Sequence, residues 1–207
     1  MKSIEKFSKY IQAYNTTIMP NIPIIINCNI SNYQRLTRKL RPNFPQEFND
    51  ILSKTLFHCS RALEGVIFSY QNNDEFVFVL KGNSNAYNNN VQELISITAT
   101  YLSTWFLKEY IIVADVIPEL IGDALFSCNA FALPNYKEVL NYLIWKQHVG
   151  YKNSQKLGSA SYKILKPINE TFKKKWYLNN EITLFKENKD LILNILRTGN
   201  DIFMPER

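Results

Sequence analysis

Asp74 and Glu75 stand side by side in the polar stretch Gln71-Asn72-Asn73-Asp74-Glu75, between two apolar runs. Adjacent carboxylates in a turn are either a candidate catalytic pair or the ordinary content of a solvated connection. Basic residues gather at Arg35, Arg38, Lys39 and Arg41 and again at Lys173-Lys174-Lys175. Such groups suit phosphate contact and equally a solvated surface. His58 on an apolar helix and His148 at a helix end have no partner at nucleophile or metal-ligand spacing, so both are read as structural. Cys28, Cys59 and Cys128 lie far apart in apolar settings and are read as buried thiols of a reducing compartment. Trp145 is read as core rather than as a base-stacking platform. No Gly-rich phosphate loop, zinc motif or Ser-His-Asp order is present.

The elements that must position these residues belong to a chain of 207 residues, long enough for one substantial core. With 46% hydrophobic and 20% charged residues it is not a disordered tail. The apolar stretches from Tyr110 to Val116 and from Ile117 to Leu125 are broken by Asp115, Glu119 and Asp123, so no membrane span is expected. The start, MKSIEKFSKY, lacks the apolar centre of a signal peptide, and a cytoplasmic location is expected. A net charge of +6 permits a nucleic-acid partner without requiring one.

Apolar spacing predicts a short edge helix from Ile4 to Tyr14, and the β-branched run Ile24-Ile25-Ile26, bounded by Pro20 and Pro23, predicts a buried central strand. A helix follows from Gln46 to Leu63, opened by Pro45 and ended by Gly65. Val66 to Tyr70 and Phe76 to Leu80 form a hairpin around the Asn-rich turn. Gly82 to Asn90 is expected to be an exposed loop without an apolar anchor. Helices are expected from Val91 to Tyr110 and around Pro118 to Leu125, a fourth strand from Asn129 to Leu133, and a helix from Tyr136 to Gln147. This is the βαββαβ order of a ferredoxin-like α+β fold, expected to carry its helices on one face of four antiparallel strands and leave the other open for substrate. Residues 1–160 form the expected domain. Residues 161–207 form a small basic extension on the same unit, with β-prone Ile182 to Phe185 and a helical run from Asp190 to Leu196.

Three segments carry a resemblance. They are Pro23 to Arg38 with the strand and its exit Asn29-Ile30-Ser31-Asn32-Tyr33-Gln34-Arg35, the hairpin Tyr70 to Phe76, and Ala130 to Ser154 with Asn141-Tyr142-Leu143-Ile144-Trp145-Lys146-Gln147. In order and spacing they resemble the Asp-Gly-Arg strand, the Gln-Ser-Asp-Glu turn and the Asn-Tyr-x-x-Trp-Arg-Gln helix of the tRNA-His guanylyltransferase family. The resemblance implies a polymerase-type palm that adds nucleotides in the 3′ to 5′ direction to tRNA or other RNA 5′ ends. It also implies two magnesium ions, ATP or GTP as substrates, and a homo-oligomer, usually a tetramer.

Carried over by position, the resemblance makes Asp74 and Glu75 the catalytic pair, and Asp74, Asn29 and the Ile30 carbonyl the metal ligands. Ser31, Asn32, Tyr33, Gln34, Arg35, Arg41, Asn73, Lys152 and Asn153 become nucleotide or phosphate contacts. From their charge, and not from the resemblance, Arg38, Lys39, Lys173, Lys174 and Lys175 are candidate RNA contacts, with a solvated surface as the alternative. The departures concern charge: Asn29 replaces the family's Asp, Ile30 and Ser31 replace its Gly and Arg, and Phe44 replaces an acid after Arg41-Pro42-Asn43. A weakened metal site is therefore expected, with Glu75 the candidate to supply the missing charge. The alternative is an inactive relative that binds RNA, nucleotide or a partner subunit.

Overall fold

Fully buried Ile24, Ile25 and Ile26 begin the central strand of the fold, β1 (Ile24–Ile30). The computed structural model describes residues 2–38, 45–72, 74–113, 124–156 and 189–198. β1 lies between β3 (Glu75–Leu80) and β4 (Phe126–Ala132), with β2 (Val66–Asn72) outside β3, in the order β2-β3-β1-β4. Every pairing is antiparallel. β2 and β3 form the predicted hairpin, closed by Asn72 opposite Glu75, so only Asn73 and Asp74 connect them.

Alternation along the strands decides what covers each face. Ile24, Ile26, Cys28 and Ile30, with Phe76, Phe78 and Leu80, pack against α3 (Pro45–Ala62) and α4 (Val91–Val113). Leu36 of the short α2 (Tyr33–Arg38) joins this cluster. On the other face Ile25, Val77, Val79, Phe68 and Tyr70 pack against Val139, Leu140 and Leu143 of α5 (Tyr136–Lys156) and Ile192 and Leu196 of α6 (Lys189–Thr198). The expectation of helices on one face and an open second face is thereby corrected. Both sets of alternate residues are apolar in β3 from Phe76 to Leu80 and at the start of β1 in Ile24, Ile25 and Ile26, so both faces of that half of the sheet must be removed from water.

The predicted helices that fall within the described residues form, with α1 at Lys2–Ala13 and α5 running beyond its expected end to Lys156. Asn135 starts α5, its side-chain oxygen accepting hydrogen bonds from the backbone N–H groups of Lys137 and Glu138 at 2.9 and 3.1 Å. The fourth strand begins earlier than expected, at Phe126. The helix expected around Pro118 to Leu125 falls largely outside the described residues, as does the β-prone run Ile182 to Phe185.

Two further expectations are corrected. The segment Gly82 to Asn90 is anchored: it carries a 3₁₀ turn, Ala86–Asn89, with Ala86 and Asn89 buried. Backbone bonds tie Asn21 N–H to Gly82 O and Ile18 N–H to Asn89 O, both at 2.9 Å. Asn85, Asn88 and Asn89 take the left-handed φ that asparagine tolerates better than most residues, so the run encodes a docked turn. Of the three cysteines only Cys59 is a free buried thiol. Cys28 and Cys128 are opposite one another on β1 and β4 and are joined as a disulfide. Their separation of 100 residues concealed a pairing that only strand register creates.

Candidate functional site

The face covered by α5 changes character along the strands. Cross-strand partners share a face, so the register defines rows. Phe68, Val79, Ile25 and Phe131 make an apolar row, followed by Tyr70, Val77, Asn27 and Asn129, and then by Asn72, Glu75, Asn29 and Ser127. The apolar half carries the core, and the polar half lies at the hairpin end. There the Ile30 N–H donates to the Asp74 carbonyl at 2.9 Å, and the Ser31 N–H donates to the Leu125 carbonyl at 2.7 Å. The exit of β1 is thus held between the hairpin turn and the start of β4, bringing Asn29, Ile30 and Asp74 to one place.

α5 closes over this end. Gly150 comes so near the hairpin that a Cβ added there would stand 1.6 Å from the Asn72 Nδ2. The Lys146 ammonium makes an ion pair with Glu75. It also lies 5.5 Å from the centre of the Tyr142 ring and 5.1 Å from that of Trp145. The Asp74 carboxyl is raised above the usual carboxylate range, first by burial and then by Glu75, against the lowering effects of its backbone hydrogen bond and Lys146. Tyr33, packed 6.1 Å from Phe48 between ring centres, is pushed up to about 12 by burial and by the charge of Asp74. Burial and the Glu75 charge also raise Tyr142.

The arrangement offers hard oxygen donors: the Asp74 carboxylate, the Asn29 amide oxygen and the Ile30 carbonyl. These are the donors that magnesium-like cations take. Among the described residues no three His, Cys, Asp or Glu side chains come together as a metal-holding group.

Ser31 is exposed and Asn32 half-buried in the turn after β1, while Gln34 and Arg35 are exposed on α2. Arg38 ends α2, and Lys152 and Asn153 lie in the last turns of α5. Lys39, Arg41, Asn73, Lys173, Lys174 and Lys175 lie outside the described residues. His58 is structural in setting, stacked 4.2 Å from Trp105 between ring centres and 3.3 Å from Glu109. Trp145 contradicts its core reading, being 54% exposed. Val139, Leu140 and Leu143 are buried on the sheet side of α5, and this phase turns Trp145 outward. Lys146 was missed by sequence reasoning. Its signal was the position of the family's Arg in the Asn-Tyr-x-x-Trp-Arg-Gln pattern.

A family model described as Thg1, tRNAHis guanylyltransferase, matches residues 2–134, more than half of the chain. The tRNA(His) guanylyltransferase 1 of Arabidopsis thaliana is 25% identical over 133 residues, which are 63% of this chain and 23% of that protein. The chain therefore matches about a quarter of that relative's length. A bacterial tRNA(His) guanylyltransferase (Thg1)-like protein solved in complex with GTP has a TM-score of 0.67 at 22% identity, over 75% of this chain and 74% of the other. A bacterial Thg1-like protein in complex with ATP has a TM-score of 0.68 at 21% identity, over 77% and 71% of the two chains. The Saccharomyces cerevisiae tRNA(His) guanylyltransferase has a TM-score of 0.54 at 16% identity, over 67% and 63%. At these identities the structural matches establish a shared fold.

Proposed function

Because the chain belongs to the tRNA-His guanylyltransferase family, we propose that it is a nucleotidyltransferase that adds nucleotides in the 3′ to 5′ direction to the 5′ end of tRNA or a related RNA. The observation that carries this reading is the hydrogen bond of 2.9 Å from Ile30 N–H to the Asp74 carbonyl. It joins the two segments whose residues the chemistry needs. On this reading the antiparallel sheet is a ferredoxin-like palm, residues 1–160 are the catalytic domain and residues 161–207 a basic extension. The working assembly is a homo-oligomer.

Magnesium would be held by Asp74, the Asn29 amide oxygen and the Ile30 carbonyl, which fit it in kind as hard oxygens. When bound, it neutralises charge on the triphosphate of ATP or GTP. The chain's own groups do the rest. Asp74, whose charge is disfavoured by burial, supplies the anionic ligand. Lys146 holds Glu75 in the layer beneath α5. Ser31, Asn32, Tyr33, Gln34, Arg35, Arg41, Asn73, Lys152 and Asn153 receive the nucleotide, and Arg38, Lys39 and Lys173 to Lys175 receive the RNA.

A second reading is favoured by two observations: Asn29 in place of an acid, and the neutralisation of Glu75 by Lys146. One missing charge at close contact is worth about 4 kcal/mol at an effective dielectric of 20. That loss would leave a family member that binds RNA, nucleotide or a partner subunit without catalysis. The test is transfer of labelled GTP, ATP, CTP and UTP to full-length and 5′-truncated tRNA with Mg or Mn. Addition that disappears in Asp74→Ala and rises by up to about a thousandfold in Asn29→Asp supports the enzyme. No addition with any substrate, with RNA or nucleotide binding retained, overturns it in favour of the second reading.

A further inference from the structure

The outward face of α5 is unusual for a helix that packs on a sheet. Its sheet side is fixed by Val139, Leu140 and Leu143, with buried Gln147 and Gly150 continuing the same stripe. Opposite that stripe, at helical spacing, come Lys137, Asn141, Trp145 and His148, all exposed. Among the described residues of this face the indole is the one exposed large apolar side chain. It is braced by the Tyr142 ring at 5.8 Å between centres, which itself meets Phe131 of β4 at 5.5 Å. The Lys146 ammonium lies over the Trp145 ring and also contacts Glu75, so one side chain links the indole to the polar strand ends.

We propose that Trp145 is a base-stacking platform, and that the outward face of α5 takes an unpaired base of the RNA, with Lys137, Asn141 and His148 flanking it. This rests on the RNA-directed reading above and adds a surface to it. The chemistry fits a single-stranded nucleic acid better than a protein partner. A lone exposed indole offers a flat π-face, while an apolar protein contact needs a wider apolar patch. Glu138 on the same helix is the acidic neighbour of this face, and its carboxylate accepts a hydrogen bond from the Asn141 amide at 3.1 Å. The net charge of +6 suits a polyanion better than a neutral or basic surface.

The test is equilibrium binding, by fluorescence anisotropy, of a labelled single-stranded RNA, a blunt RNA duplex and a labelled nucleoside triphosphate. The full-length protein is compared with Trp145→Ala and Trp145→Phe. Single-strand affinity is expected to fall about tenfold in Trp145→Ala and to be largely kept in Trp145→Phe. Duplex and triphosphate affinities should stay within twofold, and the salt dependence should be unchanged because no phosphate contact is removed. Thermal melting of Trp145→Ala at the temperature of the unmodified protein excludes unfolding as the cause. Unchanged single-strand affinity in Trp145→Ala, or an equal loss on duplex, overturns the stacking proposal and leaves the RNA reading intact. Loss of triphosphate binding alone assigns the indole to the free nucleotide and also overturns it. An unmodified protein that binds none of the RNAs overturns both.

Discussion

Lys146 sets the charge balance at the strand ends, because it is the cation in contact with Glu75 while Asp74 stands next in the chain. The side chains of the pair are only 13% and 17% exposed, so water compensates neither charge well. Breaking such a pair from one side leaves a carboxylate stranded under α5, which costs about 3 kcal/mol. Lys146→Met is expected to lose stability by that amount in urea denaturation. Adding Glu75→Gln should recover most of the loss, since both charges are then gone. A single variant as stable as the unmodified protein would show that the pair is solvated. The carboxylates of the turn were legible in the sequence because turn chemistry is local. Their partner was not, because Lys146 lies 71 positions further along the chain and only the docking of α5 over the hairpin brings it to Glu75.

At the scale of elements, the decisive contact is α5 against the hairpin. Gly150 lies against the buried Asn72 side chain, and an added methyl would meet its Nδ2 at 1.6 Å and its Cγ at 2.7 Å. Asn72 has little room to retreat, being only 8% exposed. Gly150→Ala is therefore expected to push α5 away from the hairpin at a cost of about 1–3 kcal/mol, despite alanine's higher helix propensity. Shortening the neighbour should relieve the clash, so Gly150→Ala with Asn72→Ala should unfold at a higher urea concentration than Gly150→Ala alone. If the single substitution stabilises, helix propensity outweighs the contact and the approach is not tight. The hairpin, β1 and the long helices followed directly from apolar period and turn residues. The cover on the second face was also written there, in Ile24-Ile25-Ile26 of β1 and the continuous apolar run of β3, but reading it required weighing both sets of alternate residues. The asparagines of the turn at Ala86–Asn89 signal left-handed backbone but not where it docks, and the cross-strand meeting of Cys28 with Cys128 depends on register, for which composition carries no signal.

For the molecule as a whole, burial acts in one direction on four phenols, those of Tyr33, Tyr87, Tyr110 and Tyr142, and on the thiol of Cys59. Tyr33 is pushed up to about 12 by burial and by Asp74. Burial is also the main cause that raises Tyr87, Tyr110, Tyr142 and Cys59. The folded chain therefore keeps protons that the unfolded chain releases, starting near 9.0 for the thiol and 10.0 for the phenols. With fewer protons bound in the unfolded state, stability falls as pH rises. For Tyr33 the contribution is complete below pH 10 and lost as pH passes through about 12. The melting temperature is expected to hold through pH 8 and to decline through the alkaline range. Tyr33→Phe removes one of these groups without emptying its place beside Phe48, so its decline between pH 10 and 12 should be shallower, with little difference from the unmodified protein at pH 8. Parallel declines would mean that Tyr33 reaches water in the folded state. The segment from Asn29 to Tyr33 would then be open at the hairpin end, instead of being held there by the Ile30 and Ser31 backbone bonds.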